Sequence, residues 1–94
     1  MKKILTTTAL VAAMTAGAAQ AQQTWNLQST YPGSLTQLGT LGIRIAEQIT
    51  RITGGEITVT FQNPGGVVPA LEVFDAVGSG AVEAGWSTPG YWAG

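Results

Sequence analysis

The chain has 94 residues, a formal net charge of −1, no cysteine and no histidine. That length accommodates one domain at most. The missing cysteine and histidine exclude disulfides, a thiol nucleophile, the commonest general base and most zinc ligands.

Residues 1–21 have the layout of a signal peptide. Lys2 and Lys3 give a positive start, and Ile4 to Ala19 is a weakly apolar run interrupted by Thr6, Thr7 and Thr8. Ala19-Gln20-Ala21 then supplies the small-x-small pattern of a cleavage site, with Ala19 and Ala21 as its two small residues. A membrane-spanning helix needs about 18 or more consecutive apolar residues, and this run falls short. Cleavage would make Gln22 the first mature residue of an exported, periplasmic protein without stable membrane insertion. Both lysines leave with the signal, so two arginines face five carboxylates, a net charge of −3. No basic run remains, which argues against nucleic acid and anionic membrane surfaces as partners. The five carboxylates are scattered, and no catalytic constellation emerges from them, so an enzyme is not expected. Residues 22–94 would make only a marginal core, which leads us to expect an incomplete domain.

TWNLQS, residues 24–29, alternates Trp25, Leu27 and Ser29 against Thr24, Asn26 and Gln28, the period of a strand. Tyr31-Pro32-Gly33 ends it, because the residue before a proline avoids helical angles and glycine permits a sharp turn. A helix follows. Leu38, Leu41, Ile45, Ile49 and Ile52 form an apolar stripe, with Arg44, Glu47, Gln48 and Arg51 opposite. Ser34 and Gln37 have the spacing of a capping box, and Gly54-Gly55 suits a left-handed stop. Gly39 and Gly42 cost about 1 kcal/mol each against alanine in a helix, which points to close packing on the sheet in preference to backbone approach to a ligand.

EITVTF, residues 56–61, is a second strand with Ile57, Val59 and Phe61 on one face. The loop QNPGGVVP leads to Pro69, suited to the first turn of a helix over residues 70–77 that turns Val73, Phe74 and Val77 inward. Gly78-Ser79-Gly80 closes it. AVEAGW, residues 81–86, is a third strand with Val82, Ala84 and Trp86 on one face. Alternating strands and helices predict an α/β fold, a βαβαβ unit with a parallel sheet and right-handed crossovers.

In such sheets ligands bind beyond the carboxyl ends of the strands. Those ends carry Thr30 and Tyr31; Gln62, Asn63, Gly65 and Gly66; and Trp86, Ser87, Thr88, Tyr91 and Trp92. We take Tyr31, Trp86, Tyr91 and Trp92 as candidate ligand-binding residues, with nearby helix N-termini favouring an anion. Plainer roles compete with that one. Tyr31 would also serve as a packed turn residue, Asn63 to Gly66 as turn chemistry, and Trp86 as core in phase with Val82 and Ala84. Neither GxGxxG nor GxxxxGK[ST] is present, which counts against a nucleotide-binding or flavodoxin-like enzyme half.

The run TGGEITVTFQNPGGVVPALEVFDAVGSGAVEAGWSTPGYWAG resembles the amino-terminal part of the solute receptors of tripartite ATP-independent periplasmic (TRAP) transporters. The likeness rests on the turn Thr53 to Gly55, the loop Asn63 to Pro69 running into Glu72 to Val77, Gly80 to Glu83, and the closing Tyr91-Trp92-Ala93-Gly94. The Tyr-Trp ending is most similar to the branch that binds 2-oxo acids and related monocarboxylates. This resemblance implies a two-lobed periplasmic binding protein that closes on a small organic acid and delivers it to membrane permease subunits. It implies an arginine in the second lobe for the ligand carboxylate, since a guanidinium fork suits bidentate pairing. It also implies a cation beside the ligand in the complete protein, with no cofactor held by residues 22–94 alone. Such receptors run to roughly 300 residues, a two-domain length. Residues 22–94 are thus expected to be the amino-terminal, incomplete part of the first lobe. The competing expectation is a small exported structural or interaction domain that shares only the βαβαβ pattern.

Overall fold

The computed structural model describes residues 22–93. The expected signal peptide, with Ala19 and Ala21, lies outside the described residues.

Three strands form the sheet, the two long ones where apolar and polar residues alternate. They are β1 (Gln23–Ser29), β2 (Ile57–Gln62) and β3 (Ala84–Trp86). Between them run α1 (Leu38–Ile52) and α2 (Val73–Ser79), the latter entered through a single 3-10 turn, Ala70–Glu72. A second 3-10 turn, Pro89–Tyr91, follows β3. All pairing is parallel and the order is β2-β1-β3, so β1 is central. The expected βαβαβ order and parallel sheet are therefore present.

Two faces of the sheet are covered differently. On one side Leu27, Ala46 and Val59 form a buried cluster, joined by Trp25, Ile49, Ile57, Phe61, Ala84 and Trp86. There α1 comes close because its inner residues are small. Gly39, Gly42 and Ala46 are its buried positions, and a Cβ on Gly42 would lie 2.7 Å from the Phe61 ring and 2.8 Å from the Trp86 ring. Close packing on the sheet thus accounts for Gly42, as the sequence suggested, whereas Gly39 is packed instead against the backbone of the Pro32–Gly33 turn. On the other side α2 lies over β3, where a Cβ on Gly85 would meet Val73 at 2.6 Å and Val77 at 3.1 Å.

Several local expectations need correction. Of the apolar stripe on α1 only Ile49 packs against the core cluster, while Leu38, Leu41 and Ile52 are exposed. Glycines allow a closer helix–sheet approach than leucines, so the small face turned inward. The capping box does not form. Gln37 occupies the N-cap position with φ 68° and makes no side-chain cap bond. Its conformation is a three-residue turn closed by Leu38 N–H donating to Thr36 O at 3.0 Å, an uncommon and strained geometry for a residue with a side chain. In α2, Val73 and Ala76 are buried, whereas Phe74 and Val77 are exposed. The third strand is also shorter than expected. Ala81 and Val82 donate instead to Ala76 O, wrapping the end of α2 behind Gly80 at φ 81°. The Glu83 carboxylate then accepts from Asn26 N–H at 2.7 Å, so a side chain occupies the place of a ladder carbonyl.

Candidate functional site

Parallel strands bring their carboxyl ends to one edge of the sheet, and the polar residues there are tied together rather than left loose. At the end of β1, Ser29 Oγ donates to Tyr31 O at 2.7 Å and accepts from Tyr31 N–H at 2.9 Å, clamping the tyrosine backbone. Thr30 N–H donates to Trp86 O at 3.0 Å, which carries the β1–β3 pairing one residue further. The Thr30 hydroxyl also reaches Ala70 O at 2.9 Å and Ser87 Oγ at 2.7 Å. Asn63 Oδ1 accepts from Gly33 N–H at 2.8 Å, joining the β2 end to the turn after Tyr31.

Tyr31 and Tyr91 meet in this frame. Their ring centroids are 6.4 Å apart at 51°, a tilted aromatic pair. Partial burial, followed by the neighbouring Tyr91 phenol, raises the Tyr31 phenol above its ordinary value. None of Ser29, Thr30, Tyr31, Asn63, Ser87 and Tyr91 is charged. The edge therefore offers hydrogen bonds and aromatic surface but no counter-charge of its own.

The other two candidate aromatics lie elsewhere. Trp92 stacks on Phe74 with centroids 4.9 Å apart at 24°, beside an apolar groove of about 320 Å³ between Val73, Phe74, Val77 and Gly85. Trp86 joins the core cluster against α1, and its Nε1–H donates to Leu38 O at 2.6 Å. Tyr31 and Tyr91 are thus brought together, while Trp92 and Trp86 occupy different surroundings. Arg44 and Arg51 line the outer surface of α1 with Glu47 and Gln48, away from the strand ends. Among the described residues no cluster of potential metal ligands is present. Nor is any described helix long and apolar enough to cross a membrane.

Gln28 is the residue that sequence reasoning passed over. It was assigned to the polar face of β1, yet it is fully buried beneath the loop between β2 and α2. Its Nε2 donates to Ser29 O at 3.1 Å and Asn63 O at 3.0 Å. Its Oε1 accepts from Val67 N–H at 2.9 Å and Val68 N–H at 3.3 Å. The available signal was topological, because a central strand flanked by two crossovers is covered on both faces.

Comparison with known proteins finds the same fold. No family model matches the chain. A monocarboxylate 2-oxoacid-binding periplasmic protein of Nostoc sp. (strain PCC 7120) is 34% identical over 71 residues, covering 74% of this chain and 19% of that protein. A TRAP periplasmic solute-binding protein from Pseudoalteromonas atlantica, solved with sodium and pyruvate, superposes with a TM-score of 0.70 at 25% identity. The chain is related to TRAP solute-binding proteins. A second TRAP protein, from Colwellia psychrerythraea with calcium and pyruvate, gives the same TM-score and identity. Each alignment covers 76% of this chain and 22% of the solved one. A TRAP solute-binding protein from Bordetella bronchiseptica, with calcium and picolinate, shares the fold at a TM-score of 0.61 and 23% identity. The chain thus spans about a fifth of the length of the curated relative it matches. The α/β class and the family resemblance expected from the sequence are both supported by these findings.

Proposed function

We propose that residues 22–94 form the opening part of the first lobe of a periplasmic TRAP solute-binding protein, exported by a signal at residues 1–21. The complete protein captures a small organic acid, a 2-oxo acid or similar monocarboxylate, and hands it to membrane permease subunits. The observation that carries this reading is the Tyr31–Tyr91 pair at the carboxyl edge of a parallel sheet whose relatives bind pyruvate. Ligands of open α/β sheets occupy that edge. Two phenols supply directional donors there, and aromatic surface excludes water from a small acid.

The absence of charge among the strand-end residues fits a cleft with two walls. An arginine from a facing lobe would meet the carboxylate, and a cation beside the ligand would come with that lobe as well. Exposed Leu71 and Phe74 on the α2 side, and Ile52 on α1, also suit a unit covered by further chain. A binding role, not catalysis, is the activity these residues support.

Titration calorimetry of the full-length protein with pyruvate, with and without calcium or sodium, tests the reading. Saturable binding that Tyr91→Ala weakens by about tenfold, or 1.4 kcal/mol, is expected. Absence of binding to any 2-oxo acid or other monocarboxylate would overturn it.

A further inference from the structure

The side chain of Gln28 is buried completely, although β1 has alternation that would expose it on a one-sided sheet. Burying a primary amide is costly unless its donors and acceptor are satisfied. Here Nε2 serves Ser29 O and Asn63 O, while Oε1 serves Val67 N–H and Val68 N–H. Three of those four partners belong to the loop between β2 and α2. The amide therefore acts as a bracket that fixes this loop on the central strand.

A second link leaves the same loop. Asn63, whose backbone carbonyl is held by Gln28, uses its side-chain Oδ1 to hold Gly33 N–H at 2.8 Å. Gly33 lies two residues beyond Tyr31, whose own backbone is clamped by Ser29 on the other side. Space around Gly33 is limited, since a Cβ there would lie 3.0 Å from Ile43, 3.2 Å from Phe61 and 3.3 Å from Asn63 Oδ1. The turn has little freedom to settle elsewhere while these bonds stand. The Gln28 step is a satisfied buried network, in which any alternative leaves a buried group unpaired, whereas the Asn63–Gly33 bond lies at the surface and is constrained by the tight space around Gly33.

We propose that Gln28 and Asn63 are positioning residues, a two-step relay that sets the Tyr31 turn from the core and thereby orients Tyr31 towards the ligand. The ligand side of this statement rests on the function proposed above; the relay itself does not. Neither residue needs to touch the ligand. Their contribution is pre-organisation, so that binding does not have to order the turn.

The experiment uses the full-length protein and two readouts, amide hydrogen exchange at Gly33 and the dissociation constant for pyruvate. Asn63 is exposed, so Asn63→Ala is expected to fold with a melting temperature within a few degrees of wild type. It should speed Gly33 exchange by about tenfold or more and weaken pyruvate by about tenfold, with exchange at Val59 unchanged. Asn63→Asp keeps an oxygen acceptor and should restore Gly33 protection. Gln28→Met keeps similar volume without the amide; it should free Val67, Val68 and Gly33 together. A merely structural role would lower the melting temperature and leave the dissociation constant of the folded protein unmoved. Unchanged Gly33 exchange in Asn63→Ala overturns the relay, as does faster exchange with unchanged affinity. If the wild type does not bind pyruvate, the functional reading fails, and Gly33 exchange alone then decides whether the relay exists.

Discussion

Trp86 reaches from the last residue of β3 to the first residue of α1, donating its indole N–H to Leu38 O at 2.6 Å. The carbonyl of a first-turn residue already has a helical partner available, so this bond adds a second acceptance at that oxygen. It fastens the end of the edge strand to the helix that packs against the sheet. The same indole sits against Gly42, which explains why no larger residue fits there.

Trp86→Phe removes that donor and part of the ring. A net hydrogen bond is worth about 1 kcal/mol, and the lost ring packing adds to it. Stability in urea is expected to fall by roughly 1 to 3 kcal/mol, with pyruvate affinity within about threefold of wild type. A large loss of affinity at unchanged stability would instead assign Trp86 to the ligand wall.

Three glycine-to-alanine substitutions should separate packing from propensity. Alanine favours helix by about 1 kcal/mol over glycine. Gly78 in α2 has nothing within 4 Å of a built Cβ, so Gly78→Ala should stabilise by roughly 0.5 to 1 kcal/mol. At Gly42 the same methyl meets the Phe61 and Trp86 rings below 3 Å, and overpacking costs of about 1 to 3 kcal/mol outweigh the propensity gain. Gly39→Ala should be worse, because its obstacle is the Pro32 backbone carbonyl, which cannot rotate away. Chemical denaturation of the three variants measures the order directly.

These glycines also show what the sequence could and could not convey. The period of two around Trp25 to Ser29 and around Ile57 to Phe61 marked both long strands, because each has one face against α1. The 3.6-residue stripe of α1 correctly marked a helix but only the edge of its inner face, since Ile49 packs on the core while Gly39, Gly42 and Ala46 are the buried positions. Helical spacing records which residues are apolar, whereas the inward face was selected by how closely two backbones could approach. Gln28 was misjudged for a related reason. Alternation shows which residues share a face of a strand and is silent on whether a later crossover covers it. Of the candidate site, Tyr31 and Tyr91 were legible as strand-end aromatics. Their meeting depends on β1 and β3 being neighbours, a pairing that local pattern does not encode.

The raised Tyr31 phenol gives a pH dependence with a definite direction. At neutral pH the phenol is protonated whether the chain is folded or unfolded, so stability there does not change with pH through this group. An unfolded tyrosine releases its proton near pH ~10, before the folded one does. Stability is therefore fully present below that value and falls as pH rises through the folded one. Wild-type melting temperature should drop more steeply above about pH 10 than that of Tyr31→Phe, which has no proton to release. Parallel curves for the two proteins would show that Tyr31 does not sense its surroundings.

The Phe74–Trp92 stack links the exposed face of α2 to the segment after β3, and it should be measurable as a coupling. The two rings lie 4.9 Å apart and nearly parallel at 24°, although both side chains remain exposed. Aromatic pairs contribute about 0.5 to 1.5 kcal/mol beyond their buried area. Exposure places this one towards the lower end. In a double-mutant cycle Phe74→Ala and Trp92→Ala should each destabilise, and the double variant should cost less than their sum by roughly 0.5 to 1 kcal/mol. Pyruvate affinity distinguishes Tyr91, the last residue of the 3-10 turn, from Trp92, which follows it. Tyr91→Ala removes the partner of Tyr31 and should weaken binding by about tenfold. Trp92→Ala acts on the α2 side and should change affinity by about threefold at most, while lowering the melting temperature. Equal affinity losses from the two variants would mean that the ligand wall extends through Trp92 and that the Phe74 stack belongs to it.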